Sequence, residues 1–166
     1  MKSDSSKSKR GRIKKGEGNL IGNAGEHFVM SGLLIHGWIA ALAPRNAPSF
    51  DILAVKNDKT LRIRVKTKSA DFDSWVWNTK KDGTIFKDLQ KNDDITAMVD
   101  LTHDVEHSQV FFVPTYILDK LLMADFDAWR KSLGKNGHIR DESSHMRRLS
   151  IAKYQNELAQ YRGWIS

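Results

Sequence analysis

The sequence predicts an α/β domain with a mixed central sheet flanked by helices. Three observations carry that reading: a helix-spaced stripe before residue 36, a strictly alternating strand at Leu61–Lys68, and further strand-like runs leading into a helical stretch. In the first, Leu20, Ala24, Phe28, Ser31 and Ile35 recur at helical spacing from Leu20 to His36, and Gly37 supplies the left-handed residue that ends a helix. Glu26 and Met30 lie off that stripe.

Trp38 to Ala43 is a short apolar run suited to a strand, and Pro44 to Pro48 is a loop bounded by two prolines. Phe50–Lys56 reads as a strand, Asn57-Asp58-Lys59 as a turn, and Leu61–Thr67 as the hairpin partner. Along that partner, Leu61, Ile63, Val65 and Thr67 point one way while Arg62, Arg64, Lys66 and Lys68 point the other. The polar connection from Ser69 to Asp94 is longer than an ordinary loop and is expected to hold a short hairpin of its own. Ile95–Leu101 and Gln109–Val113 read as two more strands. Thr115 is the expected N-cap of a helix over Tyr116–Met123, and Asp125 of a second short helix ending at Gly134. The tail is basic from His138 and amphipathic around Tyr154–Tyr161, and no internal repeat is present.

At 166 residues, with 40% hydrophobic residues and five tryptophans, the chain is long enough for one domain with a sizeable core. No apolar run reaches the roughly 20 residues that span a bilayer, and no apolar stretch follows the basic N-terminus, so neither a membrane span nor a signal peptide is expected. The absence of cysteine excludes disulfides and thiolate zinc sites. A cytoplasmic protein is the expectation.

The net charge of +7 is concentrated at the N-terminus, where residues 1–19 hold seven Lys and Arg against Asp4 and Glu17. Such a Ser/Gly/Lys-rich arm cannot bury enough apolar surface to fold alone. It divides the chain into a flexible arm, 1–19, and a single domain, 20–166. Lys14 and Lys15 are then candidate contacts to nucleic-acid phosphates, with a solubilising tail as the competing reading.

An acid and a lysine on adjacent strands, Asp51 and Lys66, suit metal-assisted phosphodiester chemistry. Gly25-Glu26-His27-Phe28-Val29, Phe50-Asp51-Ile52-Leu53 and Val65-Lys66-Thr67, in that order, resemble the PD-(D/E)XK nuclease superfamily over roughly Gly22 to Leu122. The resemblance implies a restriction-endonuclease-like αβββαβ core and a magnesium-dependent DNA endonuclease. It further implies Glu26, Asp51 and the Val65 carbonyl as metal ligands. Lys66 would orient the attacking water or stabilise charge on the phosphate. Glu26, Asp51 and Lys66 are thus the expected catalytic residues, and DNA or another nucleic acid the expected partner, with a homodimer left open.

Where the family keeps a carboxylate or amide before x-Lys, this chain has Arg64. At about 4 Å and an effective dielectric of about 20, each like charge costs on the order of 4 kcal/mol. A guanidinium there is expected to weaken metal binding and cleavage, unless it swings away or Asp71 or Asp73 supplies another carboxylate. The alternative is an inactive, nuclease-derived nucleic-acid-binding module, in which Arg62, Arg64 and Lys68 meet phosphates directly. A protein adaptor with a cationic strand is a third reading.

His103-Asp-Val-Glu-His107 spells an inverted zinc-protease motif, which needs a helix but falls between two strand-like runs. The spacing of Gly16, Gly18 and Gly22 does not fit a dinucleotide loop, and no strand precedes it. Trp75 and Trp77 share one face of a strand, where packing is favoured over stacking on bases. His138, Arg140, Arg147 and Arg148 read as solvated cations.

Overall fold

The structure is a computed structural model that describes residues 17–45, 47, 49–69, 74–87, 89, 93–103, 105–140 and 143–166. Most of the basic arm, with Lys14 and Lys15, and the candidate carboxylates Asp71 and Asp73 lie outside the described residues.

Helix α1 (Glu17–Ile35) opens the fold, three residues before the expected start, and Gly37 at φ +80 ends it as expected. Strands β1 (Ile39–Leu42), β2 (Ile52–Lys56) and β3 (Lys59–Lys68) follow. Strands β2 and β3 form the expected hairpin, with Lys56 paired to Lys59 across a turn in which Asn57 takes φ +52. Strands β5 (Asp94–Asp100) and β6 (Gln109–Pro114) complete a five-stranded sheet of order β1-β2-β3-β5-β6. The β3–β5 pair is parallel and the other three pairs are antiparallel, so the sheet is mixed.

The sheet separates two cores. On one side α1 packs Val29 and Leu33 against Ile52, Ile63, Ala97 and Val99. Its buried stripe is Gly25, Val29, Gly32 and Leu33, whereas Leu20 (69% exposed) and Ile35 (78% exposed) of the expected stripe face solvent. The helix was legible but its inner face was not, because two of the four inward positions are glycine. A methyl group at Gly32 would overlap the Trp164 ring, which stacks on His36 and tilts against Phe28 and Phe112. The chain's end thus seals α1 onto the sheet.

On the other side, Trp75, Trp77, Met98, Phe111, Val113, Leu118, Leu122, Leu149 and Leu158 form the second core. Each of these large side chains withdrawn from water contributes about 1.5–3 kcal/mol. Among its described residues, the connection after β3 forms one strand rather than the expected hairpin. Its strand β4 (Ser74–Asn78) pairs antiparallel with β7 (Met146–Ser150), a strand the sequence reading missed. Trp75 and Trp77 need a buried partner face, and Leu149 supplies it from across the chain. Both indoles pack inward.

The two helices expected after Pro114 are one continuous helix, α2 (Thr115–Lys131). Asp125 caps nothing within it. Its carboxylate instead pairs with Lys153 and accepts from the Tyr154 hydroxyl at 3.1 Å, holding the start of α3 (Gln155–Ala159) against α2. Thr115 is the first residue of α2 rather than its cap, and its buried hydroxyl meets that of Thr96 at 3.0 Å. Arg147 is not a solvated cation. It is 6% exposed, lies 3.4 Å from the Phe126 ring centroid and donates to the Ser144 carbonyl at 2.7 Å. Arg140 lies over Trp129 at 4.8 Å. His103 falls in a bend and His107 in a single 3-10 turn (Val105–His107), so the two do not share an α-helix. Among the described residues, no helix is long and apolar enough to cross a membrane.

Candidate functional site at the open end of the β2–β3 ladder

Strand β2 begins at Ile52, paired with Ile63, while β3 runs on to Lys68. Beyond Ile63, therefore, β3 has its β5 edge occupied and its β2 edge open. Odd-numbered residues of β3 aim their backbone groups at β2: the Ile63 carbonyl accepts from Asp51 N–H at 2.8 Å. Even-numbered ones aim at β5, as when the Lys68 carbonyl accepts from Leu101 N–H at 2.8 Å. Since both groups of one residue point the same way in a ladder, the Val65 N–H and carbonyl face the open edge.

Asp51 fills the start of that edge. Its N–H bonds to Ile63 although Ile52 is the residue paired with Ile63, so two residues of one strand oppose one of the other. Such a bulge bends the strand and re-aims the side chain. The Asp51 carboxylate then accepts the Val65 N–H at 2.7 Å, which places it near the plane of the sheet, where the ladder would otherwise continue. From there it is felt on both faces. Burial pushes its pKa up, against the Val65 hydrogen bond and the Arg64 charge, which pull it down. Glu26, on the α1 face, is pushed up by burial and then by the negative charge of Asp51, while His27 and Arg45 oppose that. Glu26 and Asp51 are brought together at one cavity, whereas Lys66, the third expected catalytic residue, lies on the face opposite α1 beside Trp77 and does not line that cavity.

The even-numbered side chains of β3 lie on the opposite face from α1. Arg62 is held by Asp94 in a two-pronged pair, with Nε to Oδ1 and Nη2 to Oδ2 both at 2.8 Å. Lys68 pairs with Asp100 at 2.9 Å and lies over the Trp75 ring at 5.1 Å. Arg64 lies over Phe86 at 5.6 Å and donates to the Lys87 carbonyl at 3.1 Å. Lys66 lies 5.7 Å above Trp77, and burial pulls its pKa down. Three neighbouring cations thus each rest on an aromatic ring, a favourable arrangement for a partly desolvated cation. The sequence showed the cations and the tryptophans separately; only the β4–β7 pairing stacks one row on the other.

A cavity of about 470 Å³ opens beside the two carboxylates, between the first half of α1 and the β1–β2 loop. Besides Glu26 and Asp51 it is lined by Asn19, Asn23, His27 and Arg45, none of which the sequence reading singled out. Their four-residue spacing on α1, from Asn19 to Asn23 to His27, was visible in the sequence, but nothing there showed what it faced.

Among the described residues, no group of three or more His, Asp or Glu side chains is gathered as a metal shell. Two carboxylates, Asp51 raised by burial and Glu26 by burial and then by the charge of Asp51, lie beside an edge-facing backbone carbonyl. They form an oxygen donor set suited to a hard cation such as magnesium, which keeps several waters of its own.

No protein-family model matches the sequence, and no curated protein matches it. The structure is similar, with a TM-score of 0.48 and 14% identity over 87% of this chain and 95% of the other, to that of a bacterial homing endonuclease, I-Ssp6803I. At that level the likeness is recorded without bearing on the site.

Proposed function

We propose that this chain is a metal-assisted nuclease of the PD-(D/E)XK type that acts on DNA at the open end of the β2–β3 ladder. The observation that carries this reading is the meeting of Glu26 and Asp51 at the free edge of β3, each held above the ordinary carboxylate pKa. Burial disfavours the charge on both acids, and the Asp51 charge further opposes ionisation of Glu26, so the pair gains by sharing a cation. Glu26, Asp51 and the Val65 carbonyl would hold magnesium. When bound, the metal would polarise the scissile phosphate and lower the pKa of a water on it. The Val65 N–H fixes the Asp51 carboxylate, so ligand geometry is set by the backbone rather than by side-chain rotamers. Lys66, partly buried on the face opposite Glu26, would reach a phosphate placed at the open edge itself, where Asp51 lies near the plane of the sheet, and stabilise negative charge developing on it.

A second reading has a specific observation behind it: the charge of Arg64 bears on Asp51. A cation there does part of what a metal would do, and favours a binding module derived from a nuclease. Contacts of Arg64 with Phe86 and the Lys87 carbonyl give its guanidinium a resting place off the carboxylates, which favours the nuclease. Relaxation of supercoiled plasmid with magnesium or manganese decides between them. Cutting by the wild type that disappears in Asp51→Ala and Lys66→Ala is the expected result. DNA binding without cutting, by wild type and Arg64→Gln alike, would select the binding module.

A further inference from the structure

We infer that the cavity beside the carboxylate pair is a seat for a backbone phosphate of duplex DNA adjoining the scissile one, with Arg45 as its cationic contact and Asn19, Asn23 and His27 as a row of donors. This rests on the nuclease or nucleic-acid-binding reading of the same site, and assigns the residues that bind the flank of the substrate.

The row follows from helix geometry. Asn19, Asn23 and His27 are four residues apart, so they form one stripe along α1, about 12 Å long at 1.5 Å per residue. All three are exposed and all three line the cavity, with Glu26 and Asp51 at one end. Arg45 reaches the same space from the β1–β2 loop. Asparagine amides and an arginine guanidinium are donors, and a guanidinium forks onto phosphate oxygens.

Electrostatics supplies a second, independent strand. A polyanion approaching Glu26 and Asp51 meets two carboxylates and is repelled. Arg45 and His27 are the groups whose charges counter that at Glu26. The cavity therefore carries its own neutralising cation on the side away from Arg64, where the backbone would otherwise meet only acids. The aromatic-stacked cations of β3 do not serve this end, because they lie across the sheet from α1.

Binding of a fluorescently labelled 20-base-pair duplex tests the seat. It is measured by anisotropy at several salt concentrations, in calcium or EDTA to suppress cutting. Arg45→Ala should weaken binding about fivefold and reduce the slope of log affinity against log salt by about 1, the signature of one lost phosphate contact. Arg45→Lys should keep the slope. Asn23→Ala should weaken binding about twofold with the slope unchanged, since it removes a neutral donor. Lys120→Ala, an exposed cation on α2, is the control and should match the wild type. Thermal melting checks that each variant is folded.

If Arg45→Ala binds with wild-type affinity and slope, the seat is wrong, while the nuclease reading stands or falls on plasmid cutting by Asp51→Ala. Equal losses in Arg45→Ala and Lys120→Ala would make Arg45 one of many diffuse charges and also overturn the seat. A wild type that fails to bind duplex at low salt would end both readings.

Discussion

The Asp51 carboxylate accepts the Val65 N–H at 2.7 Å across the gap where strand β2 has stopped and β3 has not. The bond anchors an acid that burial works to neutralise. A carboxyl group whose folded pKa lies above its unfolded value is destabilising when ionised, because the folded state holds its proton more tightly. Asp51→Asn keeps an acceptor for Val65 and removes the charge. It should raise stability by on the order of 1 kcal/mol, a melting increase of about 2–4 °C for a chain of this size, and abolish cutting. A melting temperature unchanged or lowered in Asp51→Asn would show that the acid is not strained.

Arg64 stands where two functions compete. Its guanidinium is held by Phe86 and the Lys87 carbonyl, yet its charge still reaches Asp51. Arg64→Gln should tighten magnesium binding at least several-fold, by titration calorimetry, since a divalent ion would no longer share the site with a cation. The same change removes a cation–aromatic contact and a hydrogen bond, together worth about 1–2 kcal/mol. Stability should therefore fall as affinity rises. Metal affinity equal in both proteins would mean that Arg64 lies too far off to matter.

Gly25 sets how closely α1 approaches the sheet, and so where Glu26 stands. A methyl group at Gly25 would overlap the Thr67 side chain. Gly25→Ala should cost about 1–3 kcal/mol by overpacking, and Gly25→Ala with Thr67→Ala should recover much of it. The Thr67 hydroxyl is buried without a hydrogen-bond partner among the described residues. Thr67→Val, which removes that hydroxyl and keeps the shape, should be neutral or stabilising. Chemical denaturation of the three variants provides the check, and a double variant no better than Gly25→Ala would mean the two side chains do not meet.

The strands of the main sheet were legible because their signals are local: alternation in Leu61–Lys68, a tight turn at Asn57-Asp58, apolar runs for β5 and β6. The pairing of Glu26 with Asp51 came instead from the resemblance to the nuclease superfamily, and both residues line one cavity. What escaped the sequence depends on distant pairing. Strand β7 reads Met-Arg-Arg-Leu-Ser, which no alternation rule separates from a loop, and it becomes a strand because β4 offers it a buried tryptophan face. The inward face of α1 was misread because glycine carries no apolar signal, although Gly25 and Gly32 are the points of closest approach. The cations of β3 were read as one phosphate-binding row, but Arg62 and Lys68 are engaged by Asp94 and Asp100, on the parallel neighbour that no local pattern names.

Pairing of Lys68 with Asp100 makes a distinct pH signature. Burial works against the Asp100 charge, but hydrogen bonds from Lys68 and Thr102 and the Lys68 charge together outweigh it and hold its pKa below the ordinary 3.8. A carboxylate depressed in the folded state contributes stability that is present above its unfolded pKa and lost as pH falls through its folded pKa. Glu26 and Asp51, raised instead, act with the opposite sign: protonation relieves them as the solution is acidified through their folded values. Asp100→Asn should therefore be less stable than the wild type at neutral pH, and the gap should narrow as pH falls below about 4. In the double variant Glu26→Gln, Asp51→Asn, the gain over wild type should be largest at neutral pH and shrink on acidification. Denaturation curves between pH 3 and 7 for the three proteins measure both gaps, and a gap for Asp100→Asn that stays constant over that range would show that the pair contributes by shape rather than by charge.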